Sequence, residues 1–227
     1  MDKTARWVSS RFGYSFAEPE LLAEALTHRS ADGPNNERLE FLGDAVLDTV
    51  ISDTVYRRRP SASEGELSRL RAALVRDATL AELADDLGIS DYLILGSGEK
   101  KSGGHRRNSI MAGALEAIFG AVFVDAGFDA AERVIRHVYA ELTADLPNFE
   151  DLKDAKTRLQ ELVQADGNPL PVYDLERVSG KAHRQTFEVS CSLGDAGVRT
   201  HGRGLTRRDA EQQAAARMLD KLNRDSS

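Results

Sequence analysis

The stretch MAGALEAIFGAVFV, residues 111–124, is the most apolar part of the chain, and Glu116 is the only charged residue between Ile110 and Val124. A helix this apolar belongs inside a protein, so the fold must bury Glu116 or bring something to it. An unpaired buried carboxylate is costly and needs a proton, a basic partner or a metal ion. The helix itself offers no basic partner. Whatever packs on this helix therefore has to satisfy an acid.

A second segment supplies more acid. NNERLEFLGD, from Asn35 to Asp44, holds Glu37, Glu40 and Asp44 at i, i+3 and i+7, interleaved with Leu39, Phe41 and Leu42. In a helix the three acids fall within about 60° of one another. Like charges at this spacing destabilise a helix by a few tenths of a kcal/mol per pair. One reading is a solvated acidic face. The other gathers Glu40 and Asp44 around Glu116. Two carboxylates about 4 Å apart repel by roughly 4 kcal/mol at an effective dielectric near 20. A hard divalent cation resolves this, and Mg²⁺ takes oxygen ligands while keeping several waters. Glu64, in the first turn of the next helix, either joins from the side or only offsets the helix dipole.

The pattern around these acids divides the chain. Residues 1–146 read as helices: PELLAEALTH, the run from Glu37 to Tyr56 closed by Pro60, and a helix begun by the capping box SEGE at Ser63–Glu66. Then come DATLAELADDLGI, the apolar helix, and DAAERVIRHVYAELTADL read as one amphipathic helix. GSGEKKSGGHRRNS, residues 96–109, reads as a Gly-rich basic loop. Residues 147–153 read as a linker. Residues 154–223 change period: a helix with Leu159, Leu162 and Val163 on one side, three strands, and a last helix with Ala210, Ala214, Met218 and Leu222 inward. GDAG, 194–197, reads as a hairpin turn. The expected fold is an all-α N-terminal domain followed by an α+β domain of order α-β-β-β-α.

The net charge of −7 would argue against nucleic acid, but it is uneven. Residues 1–153 carry 18 Lys+Arg and 26 Asp+Glu, a net of −8, while 154–222 carry 11 and 10, a net of +1. In the second part Thr206 reads as a helix N-cap, which puts Arg207 and Arg208 in the first turn, where cations oppose the dipole. A bound phosphate reverses that penalty. Gly202 and Gly204 just upstream would allow close backbone approach to a ligand. Lone Cys191 excludes an internal disulfide and a Cys-based zinc site, and suits a reducing cytoplasm. No uninterrupted run of about 18 apolar residues suggests a membrane span, and the first residues have no apolar core of a signal peptide.

NERLEFLGDAVL closely resembles the signature of ribonuclease III, the double-strand-specific endoribonuclease. LTHRS (26–30), EGELSRLRAALV (64–75) and SGGHRRNSIMAGALEAIFGAVF (102–123) resemble its other blocks, in order. Residues 154–223, with TRRDAEQQAA opening the last helix, resemble a double-stranded RNA-binding domain. The resemblance implies that Glu40, Asp44 and Glu116 hold Mg²⁺, or Mn²⁺ in its place, with Asp44 and Glu116 the catalytic pair and Glu37 and Glu64 in support. It implies cleavage of duplex RNA to 5′-phosphate and 3′-hydroxyl ends, in the processing of ribosomal, transfer and messenger RNA precursors. No small-molecule cofactor is implied. It further implies a homodimer in which Phe41, otherwise an ordinary core ring, enters a socket on the second subunit. Thr157, Gln160 and Glu161 match minor-groove positions and His183 a loop position entering the next groove; such domains read A-form shape with little sequence readout. One residue departs from the pattern. The family has an Asp three residues before Glu116, and here that residue is Gly113. A duplex-RNA-binding protein that no longer cuts is the alternative this raises.

Overall fold

The computed structural model describes residues 3–181, 184–194 and 198–225, which form two compact units dividing between Phe149 and Glu150. The first unit is helical: α1 (Lys3–Phe12), α2 (Pro19–Ala25), α3 (Glu37–Arg58), α4 (Glu64–Val75), α5 (Asp77–Asp86), α6 (Ser97–Lys101), α7 (Asn108–Ala126), α8 (Phe128–Val138) and α9 (Ala140–Ala144). Its only β pairing among the described residues is an isolated bridge, Thr27 to Ile94. α7 is the axis, packed against α2, α3, α5 and α8. It has no solvent face: residues from Ile110 through Val122 are buried apart from Glu116. By length and composition α7 could cross a membrane, but 67% of its most apolar window is buried inside the unit, which is how a core helix passes that test.

Local chemistry explains the helix ends. Ser63 accepts from the Glu66 amide while the Glu66 carboxylate accepts from the Ser63 amide, the reciprocal cap expected for α4. Gly88 (φ 74°) follows α5 in the left-handed region that glycine adopts at no cost. Two expectations change. The helix expected over residues 129–146 breaks at Tyr139, whose carbonyl accepts from the Thr143 hydroxyl at 2.9 Å. The Gly-rich basic loop is folded into α6 and a 3₁₀ turn, Gly104–Arg106. Its organiser is Glu99, whose side chain fills the space over Gly104 and pairs with Arg107 at 2.8 Å.

The second unit holds α11 (Ala155–Ala165), preceded by a one-turn helix α10 (Phe149–Leu152) that straddles the division in the stretch read as linker. After it come β1 (Val172–Ser179), β2 (Thr186–Leu193), β3 (Val198–Gly204) and α12 (Arg207–Asp225). The sheet is antiparallel in the order β1-β2-β3, with a bulge between Leu175 and Arg177. Leu159 and Val163 from α11, Cys191 from β2, and Ala214, Ala215, Met218 and Leu219 from α12 form the core. Leu162, expected inward, is 37% exposed, because only the i, i+4 pair faces the sheet. The hairpin turn read at 194–197 lies, beyond Gly194, outside the described residues, as does His183.

Candidate active site and RNA interface

Two glycines set the site. A Cβ on Gly43 would sit 1.8 Å from the backbone oxygen of Glu116, and one on Gly120 would sit 2.1 Å from that of Leu39. α3 and α7 thus touch backbone to backbone, each using a residue without a side chain. The contact lies between Glu40 and Asp44 on one helix and beside Glu116 on the other. The sequence shows both glycines, but nothing in it says that they face each other.

This contact gathers the acids. Glu40, Asp44 and Glu116 line one cleft of about 610 Å³ with Glu37, Phe41, His28, Arg29, Asn36, Ser109 and Ile110. Burial, then Asp44 and Glu40, push the Glu116 carboxyl up to about 8. Burial and then Glu37 raise Glu40, against a lowering by Arg29, and burial and then Asp48 raise Asp44. The helix start tempers the crowding: Glu37 and Glu40 lie in the first turn of α3, where the dipole favours acids. The Glu37 amide donates to Asn35 Oδ1 at 3.1 Å, so a side chain replaces one missing backbone partner.

The donors are all carboxylate oxygens, which suits a hard cation. Among the described residues no three acidic, histidine or cysteine groups stand close enough together to hold a metal ion as they are placed. The three acids line one cleft, and Asp44 and Glu40 both raise the Glu116 carboxyl. Mutual repulsion keeps such groups apart until a counter-charge arrives, and a cation that keeps its waters needs only a few protein oxygens. The donor set fits.

The remaining sequence-derived residues separate. Glu37 stands at the rim, paired with Arg29 at 3.3 Å. Phe41 is not core: it is 79% exposed, on the cleft wall. Glu64 does not join the cleft of its own chain. It accepts from Ser68 Oγ at 2.9 Å and lines another hollow, with Val55, Tyr56, Ala62 and Leu67. His28 and Arg29 are cleft residues that pattern reasoning left without a role. Their only signal was the block LTHRS, held in place by the His28 amide on the Ile94 carbonyl and the Gly96 amide on Ser30 Oγ.

In the second unit Thr206 Oγ1 accepts from the Asp209 amide at 3.1 Å, confirming the N-cap and placing Arg207 and Arg208 in the first turn of α12. Arg207 is paired with Glu211 at 2.8 Å, and Glu211 also takes Lys156 at 2.6 Å. Arg208 is exposed. Gln160 and Glu161 are exposed on α11, Glu161 paired with Lys153, and Thr157 sits in the first turn, its amide capped by Asp154 at 3.0 Å. The glycine expectation is corrected. A Cβ on Gly202 would meet the Ala210 oxygen at 2.0 Å, and one on Gly204 the Ala210 nitrogen at 2.6 Å. These glycines admit α12 to β3, and the close approach is to the helix rather than to a ligand.

An acidic helical domain and an α-β-β-β-α domain with arginines at a helix start define a nuclease joined to a duplex-RNA reader. Residues 18–142 match the family described as Ribonuclease-III-like, and residues 155–222 match the double-stranded RNA binding motif. The chain is 55% identical to Ribonuclease 3 of Alkalilimnicola ehrlichii over 95% of this chain and 94% of that one. It is 48% identical to Ribonuclease 3 of Vibrio cholerae over 95% and 96%. The first unit resembles the crystal structure of the nuclease domain of ribonuclease III from Campylobacter jejuni, with TM-score 0.58, 39% identity, and coverage of 62% of this chain and 97% of that one. The chain belongs to the ribonuclease III family and is a double-stranded-RNA endoribonuclease. The non-cleaving alternative suggested by Gly113 is not favoured by relatives this similar over their whole length.

Proposed function

We propose that the acidic cleft binds Mg²⁺, or Mn²⁺ in its place, and that the protein acts as a homodimer that cuts both strands of duplex RNA. The observation that carries this is the meeting of Glu40, Asp44 and Glu116 in one cleft, where Glu116 holds a proton near neutrality unless positive charge joins it. Held by these three carboxylates, the ion would supply the counter-charge, a more acidic water and compensation for charge on the leaving oxygen. Freed of its proton, Glu116 acts with Asp44 to orient the attacking water and accept its proton. The water oxygen bonds to phosphorus and the bond to the 3′ oxygen breaks. That oxygen takes up the proton, leaving a 5′-phosphate on one product and a 3′-hydroxyl on the other. Glu37, at the rim with Arg29, helps position the RNA.

Phe41 supports the dimer. It projects one residue after Glu40, and the hollow walled by Val55, Tyr56, Ala62 and Leu67 has about 610 Å³, room for a phenyl ring. Glu64 lines that hollow. Seating Phe41 in the hollow of a second copy would bring that ring against Glu64, the acid that the cleft of its own chain lacks. One Campylobacter jejuni structure is described as showing flexibility in a region involved in dimer formation. On the second unit Thr157, Gln160, Glu161, Arg207 and Arg208 form the face that takes the duplex. We assign the enzyme to the processing of ribosomal, transfer and messenger RNA precursors in the cytoplasm.

The test is cleavage of a long labelled RNA duplex in Mg²⁺, with chelator and Glu116→Ala as controls. Discrete short duplexes that vanish in both controls are the expected result. RNA that is bound but stays intact in Mg²⁺ would overturn the assignment of the cleft.

A further inference from the structure

The space over Gly113 is filled from across the helix contact. A Cβ built on Gly113 would lie 2.8 Å from Cδ and Oε2 of Glu40 and 3.0 Å from its Oε1. The whole carboxyl group of an α3 residue therefore crowds the one point of α7 from which a side chain at position 113 would project. The helices do not impose this, because their approach is fixed independently at Gly43 and Gly120. It is a side-chain placement that only a residue without Cβ permits. Gly113 and Glu116, at i and i+3, share a face, so the carboxyl over Gly113 lies on the Glu116 side of α7.

We propose that Gly113 is a positioning site: by lacking a side chain it lets the Glu40 carboxylate lie across α7 on the Glu116 side, where the two can share one cation. This rests on the metal reading of the cleft given above. Its consequence is that position 113 and Glu40 are coupled. A methyl at 113, which ordinarily favours a helix, displaces Glu40 here and adds no oxygen in return.

The test is calorimetric titration of Mg²⁺ and of Mn²⁺ into the intact protein without RNA, with thermal unfolding of each variant alongside. Gly113→Ala is expected to bind both cations about tenfold more weakly, the loss typical when a ligand's support is removed, with thermal stability unchanged or higher. Gly113→Asp, which carries its own carboxylate, should recover part of that loss. Glu40→Asp, a methylene too short to lie over Gly113, should bind weakly, and adding Gly113→Ala to it should cost nothing more. Wild-type affinity in Gly113→Ala would overturn the inference while leaving the metal site intact, as would losses that multiply in the double variant. Collapse of thermal stability in Gly113→Ala would also overturn it, since only a movable side chain should stand in the way. No cation binding by the wild type would sink this inference together with the metal reading beneath it.

Discussion

Gly43→Ala puts a methyl into the backbone contact between α3 and α7. The new Cβ would stand 1.8 Å from the Glu116 oxygen, 2.6 Å from its carbonyl carbon and 2.9 Å from the Gly120 nitrogen, where ordinary contact begins at 3.4 Å. These three nearest atoms are all backbone, so no rotamer change can relieve the clash with them. The gap between 1.8 and 3.4 Å requires α3 and α7 to part by about 1.6 Å at this point. Overpacking a core costs about 1–3 kcal/mol when side chains can adjust, and here they cannot, so we take the upper end. Alanine recovers about 1 kcal/mol of helix propensity. The expected net loss is about 2 kcal/mol, and about 2–4 °C per kcal/mol in a unit of this size gives a fall in Tm of about 4–8 °C. Activity should suffer more. A misplacement of about 1 Å can cost about a hundredfold, and this one lies between Glu40, Asp44 and Glu116. The assay is duplex cleavage in Mg²⁺ beside thermal unfolding by circular dichroism. A variant as stable and as active as the wild type would refute the claim that this contact builds the site.

Without divalent metal the Glu116 carboxyl is held at about 8 against its ordinary 4.5, so the folded state keeps a proton that the unfolded chain has released. Stability of the metal-free protein should therefore fall as pH rises through that window. Tm measured in chelator should decline less steeply for Glu116→Gln, with Glu40 and Asp44 keeping part of the slope; an equally steep decline would count against the reading. Phe41→Ala should keep the helical content of the unit, since the ring is 79% exposed, yet weaken dimerisation by about thirtyfold, as for an interface anchor worth about 2 kcal/mol. Sedimentation at several concentrations reads this, and an undiminished dimer would remove Phe41 from the interface. Arg208→Ala should weaken duplex binding and lower the salt slope by about 1. Arg207→Ala should do less, because Glu211 already engages that guanidinium. The reverse order in a gel-shift salt series would show that the Glu211 pair opens on binding.

Much of this protein is determined along the chain. The switch from helical to alternating periodicity after residue 153, the cap at Ser63 and the cap at Thr206 depend on neighbours within a few residues, and the structure contains each. Glu116 alone in an apolar helix required other groups to come to it, whatever the fold. What the chain could not express is which surfaces meet. Gly43, Gly120 and Gly113 lie in helices where glycine reads only as a weakness, and Gly202 and Gly204 in a strand where it suggests ligand approach. Their role exists only across a contact, as the missing Cβ that lets a second backbone or a carboxylate lie where a side chain would stand. Phe41 and Leu39 are both apolar on one helix, yet one is exposed and the other buried. Glu64 sits apart from acids that it accompanies in sequence pattern. Periodicity records local preference. Burial and approach depend on elements distant in the chain, and only the tertiary structure decides them.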